Sequence, residues 1–398
     1  MGCDAGAFRA RVQRGELGAH RGRAPHRVRR AQVEDALSAV VAPSPRGVAV
    51  GDIERELRRL WAEAATARGE TATTRALMAN VVVFCRSDDE CAQASRDLGA
   101  LVRRHPSRVV LLVADPSSAA RQIEASVALI SVGGRARAEQ IVLRVGGAGA
   151  YLLVPTVREV LLGDIPTALW WATPDAPPLA GELFGGLEAL ADQVIYDSFG
   201  WPDPLRQLVV VARWIGGGAS VAADLAWRRP RLWRRVIAET LDQALAPGAF
   251  EAISEVRIEH GPHTLSQSWL LVGWLAFRLG WQPRGGRVAP GPEVTWSFER
   301  RNGQSRVHIR RLADGESEIR LIEIATHVSG RPVTFRFTHD GPGRAAIAAV
   351  GLNDNVQSLS MPVLGRGDLV GLQLPEAARD RLFESSVGLA RSMAEAVL

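Results

Sequence analysis

Tryptophan and arginine side chains crowd into one stretch of this sequence, between Pro166 and Arg235. These two residue types dominate the energetics of protein–protein interfaces. Apolar segments in the stretch end in Trp, Asp and Ser, and the arginine-rich segment 224–235 follows them. The pattern favours a surface that binds another protein, although a tryptophan fills a hydrophobic core about as often. The set is Trp170, Trp171, Trp201, Trp214, Trp227, Trp233, Arg228, Arg229, Arg231, Arg234 and Arg235.

Catalytic and metal-binding chemistry finds no support in the residue spacing. The sequence contains no GxSxG, HExxH or paired-carboxylate motif. His260 and His263 share one loop, without a third ligand nearby. Each of the 48 Lys+Arg residues is an arginine, which excludes a Schiff-base lysine and a P-loop lysine. We therefore expect a protein that is not an enzyme and that uses no metal and no cofactor.

One glycine-rich turn, Gly146–Ala150, follows an apolar segment and precedes a predicted helix. A strand, a glycine turn and a helix N-terminus can hold a phosphate on backbone N–H groups. The dinucleotide fingerprint fails because its third glycine falls on Leu152. An ordinary turn is the commoner origin of such a partial match. The alternative function is therefore an enzyme or sensor that binds a sugar phosphate or nucleotide through Gly146, Gly147 and Gly149.

The three cysteines match no zinc or redox motif, and their odd number is typical of a reducing compartment. Cys85 and Cys91 are expected to be small buried hydrophobic residues. The longest apolar run is about ten residues, and a membrane-spanning helix needs about 20. We find no signal peptide. The sequence therefore predicts a cytoplasmic protein with no membrane association.

The formal net charge of +5 comes from the first 47 residues. They contain nine arginines and four acidic residues, a difference of five, so residues 48–398 are neutral. A folded body without a basic excess makes nucleic acid an unexpected partner. Residues 1–47 have few large apolar side chains, so we expect a disordered tail. Its alternative role is an arm that contacts RNA or a membrane surface.

Residues 48–225 alternate short β-branched runs with helical patterns. This alternation predicts an α/β domain with a doubly wound, mostly parallel, Rossmann-like sheet. The predicted strands are 80–85, 108–114, 125–132, 140–145, 166–171 and 193–197. Trp170 and Trp171 are neighbours on one of them, so their side chains should point to opposite faces.

Residues 226–398 show a different pattern. A helix that is apolar on most sides is predicted over 265–279, so it should be buried. Four segments of alternating polarity between 294 and 338 follow, separated by turn residues, and predict an antiparallel meander. A terminal helix is predicted over 375–397. The second domain should therefore be α+β.

Several sequence blocks, taken in order, resemble the glucose-6-phosphate dehydrogenase assembly protein family, OpcA. They are TRALMANVVVFC (74–85), HPSRVVLLVAD (105–115), AEQIVLRVGG (138–147), VPTVREVLLGDIPTALWW (154–171), ADQVIYDS (191–198) and DLAWRRPRLWR (224–234). The resemblance covers roughly residues 50–245, and the helix at 268–281 fits more loosely.

The resemblance implies a non-enzymatic partner that binds glucose-6-phosphate dehydrogenase and promotes its assembly or active state. That enzyme starts the oxidative pentose phosphate pathway. The resemblance thus implies that this chain is an allosteric or assembly partner of the enzyme. The positions that match the family pattern are His105, Ser107, Arg108, Trp170, Trp171, Asp197, Ser198, Asp224, Trp227, Trp233 and Arg234. With Arg228 and Arg231 from the arginine-rich segment, they are the candidate partner-binding residues.

Overall fold

The computed structural model describes residues 40–41, 45–67, 75–132, 136–218, 220–242, 245–288, 293–301, 303–352 and 356–397. Within them, nine strands form the first sheet, in the order β1-β5-β6-β4-β3-β7-β8-β9, and β2 also pairs with β5. The strands are β1 (Val40–Val41), β2 (Arg46–Val48), β3 (Ala79–Cys85), β4 (Ser107–Asp115), β5 (Glu124–Val132), β6 (Ala136–Gly146), β7 (Thr167–Trp171), β8 (Gln193–Tyr196) and β9 (Val221–Asp224).

The first sheet is parallel from β6 through to β9. Its other end is antiparallel, because β1, β2 and β6 all run opposite to β5. The helices between these strands are α1 (Ile53–Thr66), α2 (Asp88–Arg104), α3 (Leu153–Val160), α4 (Glu182–Glu188) and α5 (Pro204–Gly217). The predicted α/β class is therefore confirmed.

Each face of the first sheet is buried under helices. Trp170 packs on one face with Val83 and with side chains of α2. Trp171 packs on the other face, where its ring stacks on Phe84 at a centroid distance of 4.0 Å. The predicted opposite orientation of the two tryptophans is confirmed. Burial on both faces explains why these strands are almost continuously apolar.

The second sheet has the order β11-β12-β13-β10-β14-β15-β16-β17. Its strands are β10 (Glu255–His260), β11 (Gln282–Val288), β12 (Glu293–Arg300), β13 (Gly303–Arg311), β14 (Ile319–Val328), β15 (Arg331–His339), β16 (Arg344–Val350) and β17 (Val356–Ser360). All neighbouring strands are antiparallel except β10 and β13, which are parallel. The predicted meander is thus interrupted by β10, which enters its middle.

In the described residues after the first sheet there are five further helices. They are α6 (Leu225–Arg228), α7 (Arg231–Thr240), α8 (Leu265–Leu279), α9 (Arg366–Gln373) and α10 (Arg381–Glu395). The expected burial of α8 is confirmed. It packs closely on α10, since a Cβ on Gly273 would lie 2.4 Å from the carbonyl oxygen of Ser386. The terminal helix predicted over 375–397 is present but shorter, because the Asp380 side chain caps a helix that begins only at Arg381 and ends at Glu395.

Two observations bear on the predicted domain limits. Val40–Val41 and Arg46–Val48 pair with β5, so these parts of the predicted disordered tail are strands, and 1–39 and 42–44 lie outside the described residues. Helix α9, far along the chain, packs against α2 of the first sheet, and Arg366 pairs with Asp97 at 2.8 Å. A boundary between residues 225 and 226 stays a prediction. In the described part of the chain, no helix is long and apolar enough to cross a membrane.

Candidate functional site

A buried ion network lies at the start of β4. The Arg108 side chain is 1% exposed, and its guanidinium lies 2.8 Å from the carboxylate of the fully buried Glu139. Arg108 also pairs with Glu54 at 2.5 Å and donates to the Val160 carbonyl oxygen. Trp61 Nε1 donates to Glu139 at 2.7 Å. The Arg108 guanidinium therefore joins four elements inside the protein and faces inward.

Several other predicted contact residues are interior side chains as well. Trp170 is fully buried, Trp171 and Trp233 are nearly so, and the buried Ser107 hydroxyl donates to the His105 carbonyl oxygen at 2.7 Å. A side chain enclosed by its own fold does not reach a partner's surface. The expectation that the tryptophans form an exposed face is therefore wrong for these positions. Of the remaining tryptophans in the set, Trp201 and Trp227 are also buried, and Trp214 is half-buried.

Asp197, Ser198 and Asp224 meet at the carboxyl ends of β8 and β9. Both oxygens of Asp197 accept from Arg229, at 2.6 and 2.7 Å. Asp224 accepts from the Ser198 hydroxyl at 2.6 Å and from the backbone N–H groups of Ser198 and Ala226. Burial, with the nearby Asp197 charge, raises the pKa of Asp224 to about 7. The three predicted residues thus lie together in the structure, and the hydrogen bonds of Asp224 fix the turn that begins α6.

The strand order reverses between β3 and β7, where doubly wound sheets usually bind their ligands. Here a cavity of about 550 Å³ is lined by Asp89, Glu90, Asp197, Arg229 and other residues. The first turn of α2 carries Asp88, Asp89 and Glu90. Ser87 accepts from the Glu90 N–H, and Glu90 accepts from the Arg86 N–H, as in a capping box. The first turn thus carries three negative side chains at the positive end of the helix dipole, and these charges repel a phosphate.

The glycine turn after β6 is filled by the protein itself. A Cβ on Gly146 would lie 2.3 Å from the Ser118 carbonyl oxygen, and one on Gly149 would lie 2.9 Å from the Arg121 carbonyl oxygen. The residues after Gly146 form a short 3₁₀ turn, Gly147–Leu152, before α3 begins. The glycines therefore allow the segment 115–121 to approach closely. This packing accounts for them without a phosphate.

A larger cavity of about 670 Å³ lies between α6, α7, α8 and the segment 373–383. Four predicted contact residues line it with ionisable side chains, namely Asp224, Arg228, Arg231 and Arg234, and Trp227 lines it with its ring. Arg228 pairs with Glu376 and donates to Gln373 at 2.7 Å. Trp227 Nε1 donates to Asp380 at 3.1 Å. We call this the arginine cavity.

Part of the lining of the arginine cavity could not be predicted from the sequence. Arg278 on α8 and the carboxylates Glu376 and Asp380 complete its wall. Glu376 lies 148 positions from Arg228 in the sequence, and Arg278 and Asp380 are also remote from it, so spacing could not associate them. The arginine-rich segment itself was the available signal.

Among the described residues, no group of three or more His, Cys, Asp or Glu side chains could hold a metal ion. Cys85 and Cys91 are both buried and unpaired, as expected of small hydrophobic residues. A hydrogen bond to Cys91 and burial raise the pKa of the Cys85 thiol far above its usual range. That thiol is therefore not a nucleophile at neutral pH.

These features define an α/β protein of two packed sheets with an arginine-lined cavity. Residues 99–213 match the family described as the glucose-6-phosphate dehydrogenase subunit N-terminal domain, and residues 220–387 match the corresponding C-terminal domain. The chain therefore belongs to the glucose-6-phosphate dehydrogenase assembly protein family, OpcA. The resemblance identified from the sequence blocks is confirmed.

Curated relatives carry the same family name. The OxPP cycle protein OpcA of Nostoc punctiforme is 38% identical over 128 residues, 32% of this chain and 27% of the relative. Its Synechocystis counterpart is 30% identical over 135 residues, 34% of this chain and 28% of the relative. Each match thus spans less than a third of the relative's length.

Solved structures give only distant alignments. An oxidoreductase from Sinorhizobium meliloti aligns over 81% of this chain and 97% of its own, with 11% identity and a TM-score of 0.48. A levoglucosan dehydrogenase aligns over 80% and 97%, with 12% identity and a TM-score of 0.44. At these values the likeness supports no inference about activity.

Proposed function

We propose that this chain is a non-enzymatic partner of glucose-6-phosphate dehydrogenase that binds the enzyme and favours its assembled, active state. The observation that carries the proposal is the family match, which covers residues 99–213 and 220–387 and so includes strands of both sheets. A partner can shift such an equilibrium only by binding one state more tightly than the other. The chain would act through a surface rather than through a reaction.

The geometry of the candidate sites supports a role without catalysis. The positions where an α/β sheet commonly holds a phosphate do not suit one, because the first turn of α2 is acidic and backbone packs closely on Gly146. In the parts of the chain that the structure describes, the histidines gather around no metal site. The alternative function, a nucleotide or sugar-phosphate site at the glycine turn, is therefore not supported by the packing around these glycines.

The rim of the arginine cavity is the part of the predicted contact set that reaches solvent. The Arg231 side chain is 68% exposed, and its neighbour Arg235 one turn along α7 is exposed as well. Arginine forms strong paired hydrogen bonds with carboxylates, so an exposed pair on one helix suits an acidic patch of a partner. We propose that Arg231 and Arg235 contact the enzyme, whereas the buried members of the set support the fold.

The experiment is a reconstitution of the two purified proteins. Size-exclusion chromatography with light scattering measures complex formation, and kcat and KM of the enzyme are compared with and without this chain. We expect a complex and a change in the enzyme's oligomeric state or kinetics. Separate elution with unchanged kinetics over the full range of protein ratios would refute the proposal.

A charge-reversed variant locates the contact. Arg231→Glu combined with Arg235→Glu should weaken the complex several-fold, and more at low salt, because exposed interface charges mainly affect association. The control is Arg206→Glu on α5, whose side chain is 77% exposed. Equal affinity of the α7 variant and this control would exclude the rim as the contact surface while leaving the partnership itself intact.

A further inference from the structure

The arginine cavity has the dimensions and lining of a small-molecule site. Its volume of about 670 Å³ lies within the range of ligand pockets, roughly 300–1,000 Å³. Trp227, Phe250, Trp274 and Phe383 give it apolar and aromatic walls. Polar groups in such pockets are few and placed for orientation. In this cavity the cationic polar groups are all arginine guanidiniums.

Helix α7 directs one face into the arginine cavity. Arg231, Arg234, Ala238 and Leu241 recur at the spacing of a single helix side, and all of them line the cavity. The first turn of α7 contains no acidic residue. Cations near a helix N-terminus oppose the positive end of the helix dipole, and they also repel one another. These arginines therefore do not stabilise the helix, and an anion bound in the cavity would reduce the repulsion among them.

Among the arginines of the cavity, Arg234 carries the charge that is energetically most unfavourable to bury. It is 8% exposed, its guanidinium lies 3.5 Å from the centroid of the Trp227 ring, and it donates to the Trp227 carbonyl oxygen at 2.7 Å. Among the described residues, no carboxylate forms an ion pair with it. Burial, together with Arg231 and Arg228, lowers the pKa of Arg234 to about 9. It therefore stays charged at neutral pH in a place that disfavours charge.

Five carboxylates of the described residues line the cavity, and each has contacts of its own: Asp224, Asp242, Glu251, Glu376 and Asp380. Glu376 is shared by Arg228 and Arg231. Asp380 caps α10 and accepts from Trp227, so it acts on Arg234 only from a distance. On the facing helix α8, Arg278 has no ion-pair partner within the described ranges. The guanidiniums of Arg234 and Arg278, on two helices that line the cavity, are thus left for an external anion.

We propose that the arginine cavity binds a small phosphorylated molecule, whose phosphate lies between Arg234 and Arg278 and whose ring or carbon skeleton packs on the aromatic wall. A phosphate suits this site because it accepts hydrogen bonds from several guanidiniums at once. A sugar phosphate and a nucleotide share this chemistry. The binding does not require glucose-6-phosphate dehydrogenase, so it can be tested on this chain alone.

The test is a titration of the isolated chain, followed by thermal shift and by isothermal calorimetry. The probes are inorganic phosphate, a hexose 6-phosphate and adenosine 5′-monophosphate, and sulfate at matched ionic strength is the reference anion. We expect at least one organic phosphate to raise Tm more than sulfate does. The hexose phosphate and the nucleotide distinguish the two ligand sources.

Two variants tie the binding to the cavity. Arg234→Met and Arg278→Met should each weaken the affinity by about tenfold or more, which corresponds to the loss of a charge-assisted hydrogen bond. Arg206→Met on α5 should bind normally. Without ligand, Arg234→Met should leave Tm unchanged or raise it, because it removes a buried charge that lacks a carboxylate partner. This keeps the variant informative, since a loss of binding would not reflect unfolding.

Three outcomes would overturn the proposal. One is the absence of a response to all three phosphorylated probes at millimolar concentration. Another is an equal response to sulfate in the wild type and in every variant, which indicates an adventitious ion only. The last is unchanged small-molecule binding in both Arg234→Met and Arg278→Met, since the phosphate would then lie elsewhere.

Discussion

Replacing Arg108 with methionine tests whether this predicted contact residue supports the fold instead. Methionine keeps much of the side-chain volume and removes the charge from a site that is 1% exposed. Removing one member of a buried ion pair typically costs about 3–5 kcal/mol. Arg75 and Trp61 would still donate to Glu139, at 2.9 and 2.7 Å, so we expect the lower end, about 3 kcal/mol.

The assay is urea unfolding followed by tryptophan fluorescence. With a slope of about 3 kcal/mol/M, this loss moves the midpoint down by about 1 M. Arg206→Met, at an exposed arginine, should change the free energy of unfolding by less than about 0.5 kcal/mol. Arg108→Met combined with Glu139→Gln should cost less than the sum of the two single changes, because the two groups contact each other.

The stability measurement separates the two roles of Arg108. If the residue supports the fold, the folded fraction of Arg108→Met still binds the enzyme with normal affinity. A variant that keeps wild-type stability but no longer binds glucose-6-phosphate dehydrogenase would refute the reasoning. Arg108 would then be a contact residue, as the family pattern suggested.

Two further changes test the packing and the charge of the site. Because the pKa of Asp224 is raised to about 7 from an ordinary 3.8, its proton stabilises the folded state at low pH, and this stabilisation is lost as pH rises through about 7. Asp224→Asn should therefore flatten the fall in urea midpoint between about pH 4 and 7; an unchanged slope in the variant would show that another group titrates. Gly146→Ala should cost about 1–3 kcal/mol or more, since its Cβ would meet the carbonyl oxygens of Ser118 and Ala120 at 2.3 and 2.6 Å. Gly185→Ala, with nothing within 4 Å, should instead stabilise α4 by up to about 1 kcal/mol, and equal effects of the two glycine changes on the unfolding midpoint would contradict this packing.

The central strands could be predicted from sequence because they are buried on both faces. β3, β4 and β7 are short apolar runs rich in β-branched or aromatic residues, and their length and composition identify them as buried strands. Strand β10 was missed because its sequence EVRIEH alternates apolar residues with charged ones, as an exposed segment also does. Its parallel pairing with β13 spans about fifty residues of chain, which local sequence cannot encode.

The tryptophans show why residue type alone mislocated the site. Trp and Arg are frequent at interfaces, but tryptophan fills a core equally well. Trp171 of β7 stacks on Phe84 of β3 and meets Phe184 of α4 edge-on, so this cluster joins three elements that converge only after folding. Strand alternation correctly separated Trp170 from Trp171. It could not indicate that helices cover both faces.

The segment RRPRLWRR shows the same limit for charge, and also what the structure adds. Its composition is uniform, yet Arg229 is neutralised by Asp197, Arg228 by Glu376, and Arg235 by Glu239. Arg234, equally basic in sequence, is buried without a carboxylate partner in the described chain. Since a buried charge is costly unless it is paired, this inequality among neighbours singles out one arginine as a functional candidate. Only long-range packing creates that inequality, because Glu376 lies 148 residues from Arg228.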